Sequence, residues 1–189
     1  LEEASSLLEK YDVTEKDFKI NLPTVHILLS RVYLFMEEWQ KAVDEATKAM
    51  EYGLGLWDLT ALSLGTSNGY TVYPQPNSYD SPETFWCHYS TAWGKAQDIS
   101  PTLSEEFLEL YESDPNDVRF GAEGYYAAPL YNYSGTLSGY LIRKLNQQTG
   151  NTTTVLGAAI RLSEAYLNRA EAYAKLNRKD DAINDLNKL

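Results

Sequence analysis

Between Arg161 and Leu189 the positions Leu162, Ala165, Tyr166, Arg169, Ala170 and Tyr173 recur at i, i+3, i+4, i+7, i+8 and i+11. That spacing draws one stripe along an α-helix. Asn177 suits the left-handed conformation that ends a helix, and Asp180 or Asp181 suits the cap of the next. Ala182, Ile183, Leu186 and Leu189 give the second helix its own apolar face. Alanines at the seam, Ala170 and Ala182, let two antiparallel helices approach closely. The pattern predicts a helical hairpin of the tetratricopeptide type.

The same pattern occurs 140 positions earlier, in Pro23–Met50. Tyr33 matches Tyr173, Met36 matches Leu176, Ala42 matches Ala182 and Val43 matches Ile183. Tandem repeats of this type recur about every 34 residues, so the stretch between the two hairpins is an excursion from the scaffold. The predicted fold is mainly α: a single domain with hairpins at about 22–52 and 160–189. A long, aromatic, loop-rich excursion with a few short strands, about 53–159, lies between them. The hairpins supply rigidity and the excursion carries the function.

Other elements follow from local signals. Leu1, Ala4, Leu7, Leu8 and Tyr11 mark a first helix over Leu1–Lys10. Pro23 fits the first turn of the next, which runs to about Glu37; its partner spans Trp39–Tyr52 and stops at Gly53. Gly65, Asn68, Gly69, Pro74, Pro76, Asn77 and Pro82 predict an irregular loop. Thr84–Ser90 predicts a short strand, and Ser104 caps a helix reaching Glu112. Gly121–Gly139 predicts a second irregular region, followed by a strand over Tyr140–Leu145 and a polar hairpin or loop over Asn146–Thr154, where QQTGN is a turn signal.

RLSEAYLNRAEAYAKLN followed by DAINDLNKL closely resembles the C-terminal helical signature of the SusD/RagB family, outer-membrane nutrient-binding lipoproteins of Bacteroidetes. PTVHILLSRVYLFMEEWQKAVDEATKAM resembles that family's earlier hairpin. SPETFW (Ser81–Trp86) and SDPNDVRF (Ser113–Phe120) resemble two further landmarks in the expected order. The resemblance touches roughly Asn21 to Leu189. It implies a non-catalytic glycan-binding protein of polysaccharide utilization, surface-exposed and lipid-anchored through an N-terminal segment absent here. It further implies delivery of the oligosaccharide to a SusC-like, TonB-dependent outer-membrane transporter. Trp57 matches a family position that looks structural.

Composition narrows the alternatives. The 189-residue chain carries a net charge of −11, which argues against nucleic acid and polyanionic glycans. No apolar run reaches 18 residues, the length a membrane helix needs. The single cysteine, Cys87, excludes an internal disulfide and a cysteine-based zinc site. Leu1 begins inside an amphipathic pattern without an initiator Met, and Leu189 stops in mid-face, so a fragment is expected.

The 15 tyrosines and 4 tryptophans are the compositional signal for function. Tyr joins a flat apolar face to a hydroxyl and is favoured at recognition surfaces. Sugars dock their C–H faces on such rings while short polar side chains bond their hydroxyls. Trp93, Tyr125, Tyr126, Tyr133 beside Asn132, and Tyr73 are the candidate ligand-binding residues. The competing use of a loop ring is burial, which pins the loop to its scaffold.

Catalytic and metal constellations are not evident. A glycosidase needs two carboxylates about 5–9.5 Å apart, and acidic pairs such as Glu37-Glu38 and Glu105-Glu106 sit at helix ends, an ordinary solvated use. Cys87 and His88, as neighbours on a strand, point to opposite faces and form no dyad. His26 and His88 lack a second histidine at metal spacing. Asp114, Asn116 and Asp117 look like the start of a calcium loop, but Val118 replaces an oxygen ligand and no Gly follows in register. They read instead as a turn with Asp caps. Asn132-Tyr133-Ser134 and Asn151-Thr152-Thr153 match the glycosylation sequon, idle in a bacterial protein. The expectation is glycan capture without enzyme chemistry, cofactor or metal. A peptide-binding helical-repeat adaptor and a glycoside hydrolase are the alternatives.

Overall fold

The computed structural model describes residues 1–15, 19–52, 55–58, 65–67, 70–72, 81–90, 103–112, 117, 127–131, 134–142, 146–149 and 152–189. Six helices are described: α1 (Glu2–Lys10), α2 (Leu22–Phe35), α3 (Trp39–Glu51), α4 (Glu105–Glu112), α5 (Leu162–Lys175) and α6 (Lys179–Leu186). Seven strands accompany them: β1 (Gly65–Ser67), β2 (Tyr70–Val72), β3 (Thr84–Ser90), β4 (Ala127–Tyr131), β5 (Leu137–Ile142), β6 (Asn146–Thr149) and β7 (Thr152–Arg161). The chain forms two compact units. One comprises Leu1–Trp57, Ser78–His88 and Ala158–Leu189; the other comprises Asp58–Asn77 and Tyr89–Gly157.

The helical unit repeats itself in register. α2 and α5 each span 14 residues and begin 140 positions apart. Each ends in the same tight turn. Glu37 and Asn177 both take φ of 60°, the left-handed conformation that closes a helix. The Glu38 N–H donates to the Tyr33 carbonyl at 2.9 Å, and Arg178 repeats this on Tyr173 at 2.8 Å. α2 therefore stops at Phe35, two residues before the expected Glu37, which is instead the turn residue. Asn177 behaves as its type predicts.

The expected caps Asp180 and Asp181 are not caps. Arg178 holds the N-cap position of α6 without a side-chain capping bond, and both aspartates sit in the first turn. There their charge faces the positive end of the helix dipole, and Asp181 Oδ2 accepts from Arg178 Nε at 2.7 Å.

The two hairpins stack as neighbours although the excursion separates them in sequence. α3 packs against both α2 and α5, and α5 packs against α6. Close approach is possible because the seam is alanine: Ala46, Ala49 and Ala165 are fully buried with Ile27, Ile160, Leu162 and Phe85. Val25, Leu29, Tyr33, Leu34, Ala42, Val43 and Ala172 make the adjoining core. Filling the seam should be costly. Ala46→Leu is expected to lose about 1–3 kcal/mol through overpacking, read from urea unfolding; an unchanged midpoint would show that α3 and α5 are not in close contact.

Polar groups inside this core are paired. Asn168 Nδ2 donates to Ser30 Oγ at 2.9 Å, and Ser30 Oγ donates to the Ile27 carbonyl at 2.7 Å. Arg31 Nε donates to Glu164 Oε1 at 2.7 Å, a second tie between α2 and α5. α1 packs on α2, where Tyr33 donates its hydroxyl to the Glu2 carboxylate. That bond, helped by burial, pushes the Tyr33 phenol up to about 12.

The second unit carries the few short strands expected. β1 and β2 pair antiparallel, with Ser67 opposite Tyr70, within a stretch expected to be irregular. β4 and β5 pair antiparallel with a register shift between Leu130 and Tyr131. The expected irregular region Gly121–Gly139 thus contains one ladder strand and the start of another, and the strand placed at Tyr140–Leu145 is Leu137–Ile142 instead. β6 and β7 form the predicted hairpin, and β7 is the middle strand of the order β3-β7-β6. β3 and α4 lie where expected; Ser104 Oγ accepts from the Phe107 N–H at 3.3 Å as the cap of α4.

Candidate functional site

A functional excursion needs fixed roots, and its roots meet at Glu83 in the SPETFW segment. Glu83 is buried. Its Oε1 accepts from the Trp57 N–H at 2.9 Å, where the chain leaves the first hairpin. Its Oε2 lies 3.8 Å from Arg161 Nη1, where the chain returns. Its carbonyl accepts from the Leu162 N–H at 2.8 Å and so satisfies an orphan donor at the start of α5. Ser81 shapes the turn: its Oγ accepts from the Glu83 N–H at 3.3 Å, and its carbonyl from Thr84 N–H at 3.1 Å.

Asn21 anchors the same segment from the other side. Its Oδ1 accepts from the Thr24 N–H at 3.1 Å and from Thr24 Oγ1 at 2.6 Å, capping α2. Its Nδ2 donates to the carbonyls of Phe85 and Glu15, each at 3.1 Å. Phe85 is buried, and half-buried Trp86 packs on the same cluster. Sequence reasoning missed both Asn21 and Glu83. The only signal was the SPETFW landmark, which marked the segment without revealing what it holds.

The residues expected to bind ligand, Trp93, Tyr125, Tyr126, Tyr133, Asn132 and Tyr73, all lie outside the described residues. Trp57 lies within them, half-buried, with its backbone held by Glu83. It serves the root of the excursion.

Acidic groups of the helical unit are already hydrogen-bonded within it. Glu45 accepts from His26 Nδ1 at 2.6 Å and from Lys48 Nζ at 2.6 Å. The His26 ring also stacks on Tyr52, centroids 6.3 Å apart. Burial acts to raise the Glu45 carboxyl, but the bonds from His26 and Lys48 outweigh it and hold the group below its ordinary value. A depressed carboxyl stabilises the fold above the unfolded value, about 4.3, and loses that contribution as pH falls through the folded one. Glu45→Gln should therefore be less stable than the parent at neutral pH, with the gap narrowing below about pH 4. Thermal melts between pH 3 and 7 measure this; a gap constant with pH would refute it.

Among the described residues, no group of three or more His, Cys, Asp or Glu side chains is arranged to hold a metal ion. Cys87 is buried. No described helix is long and apolar enough to cross a membrane.

Scaffold, roots and repeat register together invite comparison with known proteins. The sequence profile of the SusD family matches residues 36–189. The chain belongs to the SusD family.

Solved SusD structures share its fold. A SusD superfamily protein from Bacteroides thetaiotaomicron VPI-5482 superposes with a TM-score of 0.65 at 26% identity, over 92% of this chain and 42% of that one. A Bacteroides vulgatus ATCC 8482 protein, provisionally described as sugar binding, gives 0.65 at 26% identity over 92% and 39%. A SusD-like carbohydrate binding protein from the same organism gives 0.61 at 23% identity over 92% and 37%. This SusD chain thus spans about two fifths of these relatives' length. Among curated proteins it has no match.

Proposed function

We propose that this SusD-family protein captures oligosaccharide at the bacterial outer-membrane surface, without cleaving it. The glycan is then handed to a SusC-like, TonB-dependent transporter. The observation that carries the reading is the family match over residues 36–189, supported by a fold shared with a relative described as sugar binding. Physical chemistry supports it too. The buried stripes of the helices are committed to packing, and recognition is assigned to the excursion, whose roots are held at Asn21 and Glu83. A rigid base limits the entropy lost when a ligand orders the loops it carries.

In this reading Trp93, Tyr125, Tyr126, Tyr133 and Tyr73 supply stacking rings, and Asn132 supplies a hydrogen-bonding amide. Anchoring is through an N-terminal lipid. Binding needs no cofactor and no metal.

The non-catalytic character is directly testable. Incubation with an oligosaccharide the protein binds should leave it intact, with no new reducing ends over the protein-free control. Release of reducing ends that one Asp or Glu substitution abolishes would make the protein a hydrolase.

A further inference from the structure

On the reading of glycan capture, we propose that Glu83 is a positioning residue for the ligand. Its buried carboxylate clasps the chain where it passes to and from the second unit, and glycan affinity depends on that clasp. The passages follow Trp57, Asn77, His88 and Gly157. Glu83 lies on Ser78–His88, the segment that returns to the helical unit between the second and third of them. Its side-chain partners stand beside the remaining two. Trp57, whose N–H donates to Glu83 Oε1 at 2.9 Å, is the last residue before the first passage. Arg161, whose Nη1 lies 3.8 Å from Oε2, follows the fourth. One side chain within the helical unit therefore gathers the covalent points from which the second unit is strung.

A carboxylate suits this task better than a neutral acceptor. The side chains of Glu83 and Arg161 are only 9 and 17% exposed, so neither charge has much water to replace its partner. Each oxygen also faces a different segment, the backbone amide of one and the guanidinium of the other. Glutamine would keep the acceptor for Trp57 but present an uncharged amide to Arg161. That opens one side of the clasp and leaves the other closed. The Glu83 carbonyl, which accepts from the Leu162 N–H, is backbone and survives the substitution, so α5 keeps its start. An unclasped passage is a longer free loop with more conformations. Ligand binding must then order what the parent holds ordered beforehand, and the cost falls on affinity.

Hydrogen exchange of the whole protein without ligand reads the clasp itself. Glu83→Gln should exchange faster than the parent over 58–77 and 89–157, while α2, α3 and α5 stay as protected as before. For an oligosaccharide that the parent binds, Kd should rise about tenfold. Glu83→Gln combined with Arg161→Met removes both charges, and carries the test if the single variant folds poorly. Its melting temperature should return towards the parent's, because no orphan charge remains, while its affinity stays low. Affinity that recovers together with the melting temperature would make Glu83 merely structural and overturn the proposal. So would exchange unchanged from the parent's in both variants. A parent that binds no oligosaccharide overturns the glycan reading and the affinity claim with it, whereas exchange then still decides whether Glu83 is a clasp.

Discussion

Arg169→Ala is expected to destabilise the protein by about 3–5 kcal/mol, because it leaves a buried carboxylate without its partner. Arg169 Nε and Nη2 donate to the two oxygens of Asp185, each at 2.7 Å, and Asp185 is buried. The third nitrogen reaches Thr47, so one guanidinium ties α5 to α6 within its hairpin and to α3 of the other. The rings of Tyr166 and Tyr173 lie 5.8 Å from the guanidinium carbon. Lysine cannot reproduce this planar fork, so Arg169→Lys should recover only part of the loss. Removing both charges, Arg169→Met with Asp185→Leu, should recover most of it, since no orphan charge remains. Urea unfolding of the three variants is the measurement. An Arg169→Ala loss under 1 kcal/mol would show the pair to be solvated and peripheral.

Asn21→Ala is the next largest, at about 3 kcal/mol: roughly 1 for the lost cap and about 1–3 for a buried carbonyl left without its donor. Asn21 is only 1% exposed, so water cannot take over its bonds. Serine separates the two contributions. Asn21→Ser keeps a capping oxygen for α2 but cannot reach Phe85, so it should recover the cap alone. Equal losses for Ala and Ser would place the whole effect at Phe85. A neutral Asn21→Ala would show that the root of β3 is held by packing alone.

Both predictions concern bonds that were only half visible in the amino-acid sequence. The hairpins were legible because a helix writes its buried face at 3.6-residue spacing, and because Tyr33/Tyr173 and Ala42/Ala182 repeat that face in one register. Asn177, the Ser104 cap and the β3 strand are short-range choices, set by residue type and close neighbours. The bond from Asn21 to Phe85 spans 64 positions, and that from Asn168 to Ser30 spans 138. No local pattern encodes such partners. Asp180 and Asp181 misled because an aspartate suits a cap and a first turn alike. The ladder of β4 and β5 was hidden because Pro129, Gly135 and Gly139 resemble loop punctuation, whereas a bulged two-stranded pair tolerates them. For the site, aromatic richness was plain, but whether a ring faces ligand or core depends on distant packing that composition does not record.

The central proposal, capture of glycan on excursion rings, stands or falls on Trp93. Gly94 beside it and the polar run Lys95–Asp98 leave it few apolar partners in sequence. The deciding measurement is the affinity of Trp93→Ala for an oligosaccharide that the parent binds, with its melting temperature recorded on the same sample. The account predicts a loss of about 1–3 kcal/mol, by analogy with stacking of bases on aromatic rings, which is roughly tenfold or more in Kd. The melting temperature should be nearly unchanged. A variant that binds as tightly as the parent, or that melts far lower and loses binding only by unfolding, would contradict it.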